Sequence, residues 1–556
     1  MTQTDNSFRD NAPPSPTIRL AWILLILATL YFCYFHNLGA LGFIGPDEPR
    51  YAWIARDMAE SGDWVTPRLY GHPWFEKPPL FYWGAALSFK LFGVNEAAAR
   101  LPSAISALLA TLAMAWLAWR LYGAETARWL LLPLPSTVGM IGFSHAAATD
   151  MPFSAMLTVA MVFAAMIIGL TRNENSPVIP RTPWLALVFF GFFLGLAVLA
   201  KGPAAIILSG GAILLWAVFT KRWRYAFRCL HPVAIASFCL TALPWYVLCS
   251  RRNPEFFRVF IIEHNFKRFL TPEFQHIQPF WFYIPVVLIA AVPWTLAFLW
   301  SVLYGALRYL PSRRPSPTIL FLLSWPAFCL VLFSISKSKL PGYILPAMPA
   351  LALLLARSYV HLVPRNEKTF RWLHFVFCFL SVPAGLFLLR LGSHSRMSRI
   401  DVHATTSIGL LLLLLAVSNF LLAFRRNGSG HPASISSMCV VPVLVLVCLF
   451  PRLSSPWFHY DPSGRTLARK LTENRIPLDQ LYIANMPRGQ QFSLNFYLHR
   501  ETESWNKNNP REGNLLTRSQ YCDDFVGVPW GCSANSRQLG SSGWFVHRVE
   551  RMDSAK

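Results

Sequence analysis

The feature that most constrains this chain is a series of apolar runs, each close to the length that a lipid bilayer requires. A membrane-spanning helix needs roughly 17 to 25 apolar residues, and about thirteen runs of this sequence meet or approach that length. Apolar residues make up 54% of the chain and charged residues only 14%, a composition that excludes a water-soluble protein. The predicted spans are Ile18–Phe35, Leu101–Trp119, Ala127–Phe143, Met151–Leu170, Trp184–Leu199, Ala204–Phe219, His231–Leu248, Phe280–Leu307, Thr318–Ile335, Leu340–Val360, Trp372–Leu391, Thr406–Phe424 and Ile435–Leu449.

The charges of the loops between these runs predict how the chain is oriented in the membrane. When the amino terminus is placed inside, the inner loops are short and basic with few acids, as the positive-inside rule expects. A further apolar run, Leu80–Phe92, is short, contains Lys90 and follows two prolines, so we predict an interfacial or re-entrant helix there. Counting it as a span would place every later basic loop outside.

This topology divides the chain into three parts. Residues 1–17 are polar and lack the cationic start of a signal peptide, which predicts a cytoplasmic tail followed by a retained anchor. Residues 18–451 form an α-helical polytopic membrane domain, and its first outer loop covers residues 39–100. The Gly, Asn and Ser content and the moderate apolar patches of residues 452–556 predict a small α/β domain on the outer side.

The net charge of the chain limits its partners. The formal value of +23 calls for anionic partners. Since the basic residues lie in short loops between apolar runs, membrane lipids and an anionic substrate fit this charge better than nucleic acid does. We expect a monomer with no nucleic-acid partner.

Two stretches of the first outer loop, residues 45–52 and 75–80, combine acidic and basic side chains in an otherwise apolar protein. Charges beside a bilayer are costly unless they pair or meet a substrate, so these stretches mark a candidate site. The alternative is that the carboxylates are solvated or cap a helix. From Pro49 onward the pattern predicts an amphipathic helix on the membrane surface. The charged residues concerned are Asp47, Glu48, Arg50, Glu76 and Lys77.

Further charges are predicted on the same outer face. Asp150 lies at the end of a predicted span, where a carboxylate without a partner opposes insertion into the membrane. Lys201 interrupts an apolar stretch just before a glycine. For any single cation, snorkelling to lipid headgroups is the simpler interpretation. Several cations together favour one phosphate-bearing substrate. The other members of the set are Glu263, His264, Lys267, Arg268, Lys337 and Lys339.

Seven motifs occur in order along the membrane part of the chain. They are Asp47-Glu48-x-Arg50-Tyr51-Ala52, Gly62-Asp63-Trp64, Phe75-Glu76-Lys77-Pro78-Pro79, Lys201-Gly202, Glu263-His264-x-x-x-Arg268-Phe269, Pro279-Phe280-Trp281-Phe282-Tyr283 and Lys337-x-Lys339-Leu340-Pro341-x-Tyr343. This ordered set resembles the lipid A 4-amino-4-deoxy-L-arabinose transferases, which are GT-C membrane glycosyltransferases related to the protein O-mannosyltransferases. The similarity covers residues 45 to about 349, departs at Pro49, and extends to the tail only in size and position.

The resemblance implies a GT-C fold with 13 spans, interfacial helices in the first outer loop, and an active site on the periplasmic side of a bacterial inner membrane. It also implies a polyprenyl-phosphate sugar as donor, such as aminoarabinose on undecaprenyl phosphate, and lipid A or another periplasmic acceptor. By the family pattern, the catalytic carboxylates are Asp47 and Asp150, the donor-phosphate cations are Arg50, Lys77, Lys201 and Arg268, and the zinc ligands are Glu76 and His264. Further substrate-binding residues on this pattern are Glu48, Tyr51, Lys337, Lys339 and Tyr343.

Two roles remain open for Asp47. A lipid A phosphate is already an anionic nucleophile, so Asp47 would orient it or the amino sugar. A hydroxyl acceptor, as in a protein or glycan O-glycosyltransferase, would need Asp47 as general base. A Glu-His pair alone is a weak metal signal, because a hydrogen-bonded loop histidine is the usual case. A secondary transporter would show an internal repeat and paired broken helices, and a scaffold would not concentrate opposed charges at span mouths.

We predict a disulfide between Cys522 and Cys532 in the tail. Both lie outside the cytoplasm, where thiols oxidise, and Gly527, Pro529 and Gly531 let the chain turn back between them. The bridge would close a loop of about ten residues and stabilise the domain by roughly 2–3 kcal/mol. Neither thiol should react with a maleimide under denaturing, non-reducing conditions, and reaction of both would show that the bridge is absent. After reduction, both should react without permeabilisation; otherwise the topology is wrong.

Overall fold

The fold is known from a computed structural model, and it consists of apolar helices, a helical outer loop and a small α/β unit. The structure describes residues 16–170, 183–267, 277–309, 315–362, 463–506, 511–521, 530–532, 537–539 and 543–551, together with residue 525 and single residues between 379 and 447. The helices are α1 (Pro16–Tyr34), α2 (Asp47–Ser61), α3 (Leu80–Phe92), α4 (Glu96–Tyr122), α5 (Ala124–Leu130), α6 (Val138–Ser144), α7 (Asp150–Ile167), α8 (Trp184–Lys201), α9 (Ala204–Thr220), α10 (Trp223–Ala226), α11 (Pro232–Arg252), α12 (Tyr283–Ala290), α13 (Thr295–Tyr309), α14 (Pro317–Ile335), α15 (Met348–Leu362), α16 (Arg465–Glu473) and α17 (Arg488–Leu498).

Six helices among these residues are long and apolar enough to cross a membrane, or seven if one bent pair counts as a single span. Two of the predicted spans are not continuous helices. Ala127–Phe143 divides into α5 and α6 around a turn that contains Pro133, and Phe280–Leu307 bends by 117° near Pro293. Proline removes a backbone donor and disfavours helix. The predicted spans Trp372–Leu391, Thr406–Phe424 and Ile435–Leu449 lie outside the continuously described ranges, so the count of thirteen stays a prediction.

The packing of α7, α8 and α11 places two charged side chains at one end of the bundle. Nearly all of α7 is buried. On α8, Gly191 and Gly195 let α11 approach so closely that a Cβ on Gly191 would lie 2.1 Å from the Ala234 carbonyl oxygen. Small residues at such contacts are typical of membrane helix pairs. Because α7 begins at Asp150 and α8 ends at Lys201, the two side chains meet at the same end.

The first outer loop is a packed unit rather than an open loop. It contains α2, α3 and a short antiparallel hairpin of β1 (Arg68–Leu69) and β2 (His72–Pro73). The helix predicted at Leu80–Phe92 is α3, with those bounds, and its interfacial or re-entrant position stays a prediction. Tyr51 of α2 packs against Phe81 and Tyr82 of α3, with ring centroids 6.1 and 5.8 Å apart. The apolar faces of the two helices therefore bury each other.

The described residues of the tail form a mixed sheet with two helices, α16 and α17. The strands are β3 (Leu481–Ile483), β4 (Glu503–Ser504), β5 (Gly513–Thr517), β6 (Trp530–Cys532), β7 (Arg537–Gln538) and β8 (Phe545–Arg551). Their order is β4-β3-β5-β8-β6, with β7 also paired to β8. Strand β3 runs parallel to β4 and β5, whereas β8 is antiparallel to β5, β6 and β7. Cys532 is disulfide-bonded, and its predicted partner Cys522 lies outside the described residues, as does the predicted domain start at 452.

The outer loop, the membrane helices and the tail are joined around one buried ion pair. The Arg100 guanidinium of α4 donates to both carboxylate oxygens of Glu48, at 2.9 and 2.8 Å, and to the carbonyls of Leu38, Leu41 and Gly42. The segment that Arg100 holds is also held by the tail. There, the Ser493 hydroxyl donates to the Phe43 carbonyl, and the Phe43 amide donates to the Tyr497 hydroxyl.

The Glu48–Arg100 pair predicts a difference in stability between two matched variants. Glu48→Ala leaves a buried guanidinium without its carboxylate, and removing one partner of a buried pair costs about 3–5 kcal/mol. Glu60→Ala, on the same helix, removes a half-exposed carboxylate that pairs with Arg56 and His499, and exposed pairs are worth about 0–1 kcal/mol. The thermal unfolding midpoint in detergent should fall clearly for Glu48→Ala alone. Equal midpoints would show that the pair does not hold the loop.

Candidate active site

A cluster of four charged side chains lies at the start of α2, and we call it the outer-loop cluster. Its members are Asp47, Arg50, Glu76 and Lys77. The buried Arg50 guanidinium pairs with Asp47, donates to Glu76 at 3.0 Å, and donates to the Pro46 carbonyl at 2.8 Å. The i,i+3 spacing of Asp47 and Arg50 brings them together on one helix face. The Lys77 ammonium lies 3.5 Å from the other Glu76 oxygen.

Aromatic rings enclose the Arg50 guanidinium. Its central carbon lies 5.8 Å from the ring centroid of Tyr51, 5.5 Å from that of Trp74, and 5.5 Å from that of Phe492 in the tail. Burial lowers the pKa of Arg50, but Glu76, Tyr51 and Asp47 together outweigh this effect, so that the net pKa is raised. The arginine is therefore a permanent cation, held by carboxylates on one side and by ring faces on the others.

The two predicted site carboxylates at the start of α2 differ in accessibility. The Asp47 side chain is half exposed, whereas the Glu48 side chain is only 13% exposed. Both Glu48 oxygens accept hydrogen bonds from protein groups, including the backbone amides of Ala147 at 2.8 Å and Ile44 at 3.0 Å. The geometry therefore leaves Asp47 open to a substrate and gives Glu48 a positioning role.

A second charged pair joins Asp150 and Lys201. The Lys201 ammonium lies 4.6 Å from the ring centroid of Tyr343 and 5.5 Å from that of Phe153, so two aromatic faces flank it. Gly342, next to Tyr343, lies against the carboxylate: a Cβ added there would be 2.6 Å from Asp150 Oδ1. The structure thus brings together three predicted site residues, Asp150, Lys201 and Tyr343.

The outer-loop cluster and this second pair are tied together through Glu48. Glu48 is next to Asp47, which belongs to the cluster. Glu48 also accepts a hydrogen bond from the amide of Ala147, three residues before Asp150. The two candidate catalytic carboxylates therefore stand on segments that one side chain connects.

The other predicted residues are placed less directly. Tyr51 is buried between α2 and α3, and burial with the charges of Glu76 and Asp47 raises the pKa of its phenol, which keeps it neutral. The Lys339 ammonium is buried and donates to the carbonyls of Gln278 and Ser336 at 3.0 and 2.6 Å. Burial and the charge of the exposed Lys337 lower the pKa of Lys339.

The predicted zinc ligands fit a metal only in part. Glu76 offers a carboxylate, but its oxygens face Arg50 and Lys77. The backbone of His264 belongs to a π-helical segment, Arg258–Lys267, while its side chain and the whole of Arg268 lie outside the described residues. Within the described ranges, no three His, Cys, Asp or Glu side chains cluster closely enough to hold a metal. Zinc at Glu76 and His264 stays a prediction, and no reaction step proposed below uses it.

Three residues of the site were not predicted from the sequence. Phe492 reaches Arg50 from the tail, Trp74 precedes the second charged stretch as an ordinary aromatic residue, and Gly342 is needed for close approach to Asp150. Only the glycine carried a signal, since it lies inside the motif that ends at Tyr343.

Known proteins resemble this chain in sequence and in fold. The family described as dolichyl-phosphate-mannose-protein mannosyltransferase matches residues 20–260. The undecaprenyl phosphate-alpha-4-amino-4-deoxy-L-arabinose arabinosyl transferase of Aeromonas salmonicida (strain A449) is 32% identical over 82% of this chain and 78% of its own length. The protein of that name from Enterobacter sp. (strain 638) is 32% identical over 72% of this chain and 71% of its own. The crystal structure of ArnT from Cupriavidus metallidurans bound to undecaprenyl phosphate matches with a TM-score of 0.76 at 23% identity, covering 95% of this chain and 98% of that one.

The apolar helices and the fold match, together with relatives named as arabinosyl transferases, define a multi-pass membrane glycosyltransferase of the GT-C type. The resemblance found in the ordered motifs is confirmed by the curated relatives. The chain belongs to the family of the undecaprenyl phosphate-alpha-4-amino-4-deoxy-L-arabinose arabinosyl transferases.

The contact between Gly342 and Asp150 predicts a specific loss of activity. The methyl group of Gly342→Ala would overlap the Asp150 carboxylate and the ring of Phe143, and would push the carboxylate away from Lys201. We expect transfer activity to fall on the order of 100-fold, as displacement of a site group by about 1 Å can cost that much. Gly142→Ala is the control, because its Cβ would have open space. Similar activity in both variants would remove the Asp150–Lys201 geometry from the mechanism.

Proposed function

We propose that this protein transfers 4-amino-4-deoxy-L-arabinose from undecaprenyl phosphate to a phosphate of lipid A. The reaction takes place at the periplasmic face of the bacterial inner membrane, and the protein acts as a monomer. The donor and the sugar follow from the names of relatives that are 32% identical over most of both chains. One structural observation carries the proposal: the half-exposed carboxylate of Asp47 pairs with Arg50, and Arg50 and Lys77 both pair with Glu76.

The departing phosphate determines what the site must supply. Breaking the bond between the sugar and its phosphate leaves an additional negative charge on that phosphate, which cations stabilise without a proton donor. Lys77 and Lys201 are the candidates, and an ammonium group has three donors. Lys201 can therefore keep its bond to Asp150 while donating to a phosphate oxygen.

Arg50 has a different task from the lysines. Its three nitrogens already donate to Asp47, Glu76 and the Pro46 carbonyl, and rings cover its faces. We assign it the positioning of the two carboxylates rather than first contact with the donor. We assign the exposed Lys337 to the approach to the site, where a positive charge favours an anionic donor.

Asp47 then faces the reacting sugar and its acceptor. A lipid A phosphate needs no base, so Asp47 would hold the ammonium group of the sugar or orient the incoming phosphate. A hydroxyl acceptor would instead require Asp47 to remove a proton. The match to the mannosyltransferase family over residues 20–260 is what favours this second candidate.

Replacement of Asp47 tests the proposal. Asp47→Asn keeps the shape but loses the charge, and we expect transfer to fall on the order of 100-fold or more with expression unchanged. Asp57→Asn, ten residues further along the same helix, is the control. Mass spectrometry of extracted lipids would show whether lipid A gains aminoarabinose when the wild type is expressed. Near-normal transfer by Asp47→Asn would exclude this carboxylate, and a modified protein or glycan hydroxyl would favour the second candidate.

A further inference from the structure

The tail domain contains a cavity that the proposed chemistry does not use. Its volume is about 650 Å³, within the range of small-molecule sites. It opens where three parallel strands end: Asn485 follows β3, Trp505 follows β4, and Arg518 follows β5. In open α/β sheets, ligands bind outside the carboxyl ends of the strands. The position is therefore where this architecture places a binding site.

The cavity lining has the chemistry of a site for a charged sugar. Six of its eleven lining residues carry an amide, a hydroxyl or a guanidinium, and Trp505 adds an indole face. Amides and hydroxyls both donate and accept, which suits a ligand rich in hydroxyl groups. The single charged group is a guanidinium, which suits a phosphate on that ligand. The six polar residues are Asn485, Gln491, Ser504, Thr517, Arg518 and Ser519.

The charged residue of this lining is held in place before any ligand arrives. The Arg518 guanidinium lies 5.0 Å from the ring centroid of Trp544 and donates to the Gln490 side-chain oxygen at 3.2 Å. A guanidinium fixed by a ring and an amide loses little freedom on binding, which favours affinity.

Helix α17 connects the cavity to the outer-loop cluster. Gln491 lines the cavity, and the next residue, Phe492, covers Arg50. At Gly489 the helix touches the outer loop so closely that a Cβ would lie 2.7 Å from the Gly45 carbonyl carbon. Gly45 stands two residues before Asp47. A ligand in the cavity is therefore held next to the segment that carries the candidate catalytic carboxylate.

We propose that this cavity binds a phosphorylated sugar headgroup, that of the acceptor, and holds it beside the outer-face site. The assignment of the headgroup to the acceptor rests on the proposed function, since it presumes that the acceptor is a phosphorylated glycolipid. The chemistry alone is shared by a lipid-borne headgroup and a free sugar phosphate, and the two sources are separated by experiment.

Binding to the purified full-length protein in detergent tests the cavity directly. The probe is glucosamine 1-phosphate, compared with glucosamine and with inorganic phosphate by isothermal titration calorimetry. We expect the phosphorylated sugar to bind more tightly than either part. Arg518→Gln and Asn485→Gly should each weaken it by about tenfold or more. Absence of binding, or unchanged binding in Arg518→Gln, would overturn the proposal.

The variants are chosen so that loss of folding is not mistaken for loss of binding. Asn485 has a left-handed backbone with φ of 52°, which glycine adopts without strain. Arg469→Gln is the matched control, because it removes an exposed arginine of α16 that pairs with Glu473. Asn485→Gly and Arg469→Gln should keep the wild-type unfolding midpoint, so that weaker binding by Asn485→Gly is not caused by loss of folding.

Kinetics separates the two sources of the ligand. For an acceptor headgroup site, Arg518→Gln should raise the KM for the lipid acceptor about tenfold, with kcat and the donor KM unchanged. Weaker probe binding with an unchanged acceptor KM would mean a site for a free sugar phosphate and would overturn the acceptor assignment. If the wild type modifies no lipid at all, the proposed function fails. The binding measurement then decides the cavity by itself.

Discussion

The structure of the site depends on the buried ion pair between Glu48 and Arg100. Desolvation offsets much of the attraction within such a pair, so its value lies more in geometry than in net stability. The Glu48 carboxylate accepts from α4, from the outer loop at Ile44 and from the segment before α7 at Ala147. These bonds fix three separately folded segments relative to one another.

Charge balance explains how so many ionic groups persist beside apolar helices. The outer-loop cluster contains two carboxylates and two cations, and Asp150 is matched by Lys201. Before a substrate binds, each of these charged side chains is therefore paired with one of opposite sign. The outer-loop cluster and the Asp150–Lys201 pair are therefore balanced in charge before a phosphate brings its own negative charge.

Local features could be predicted from the sequence, whereas contacts between distant segments could not. Helix α3 matches its predicted bounds because prolines precede it and a glycine follows it. The run Ala127–Phe143 divides into α5 and α6, because apolar content does not distinguish a helix from a turn and the run contains prolines that disfavour helix. Glu48 was assigned to substrate from its position beside Asp47. Its partner Arg100 lies 52 residues away, a distance over which sequence patterns give no pairing information.

The ring of Phe492 against Arg50 has a consequence for the biogenesis of the protein. Arg50 emerges from the ribosome early, yet the aromatic face that completes its enclosure is made 442 residues later and belongs to a domain beyond the last apolar runs. Before the tail is made, the newly inserted helices therefore contain an Arg50 guanidinium that lacks the ring of Phe492. Completion waits until the tail has been synthesised, moved to the same side of the bilayer and folded against α2. A truncated chain would insert into the membrane, but its arginine would be left open to water.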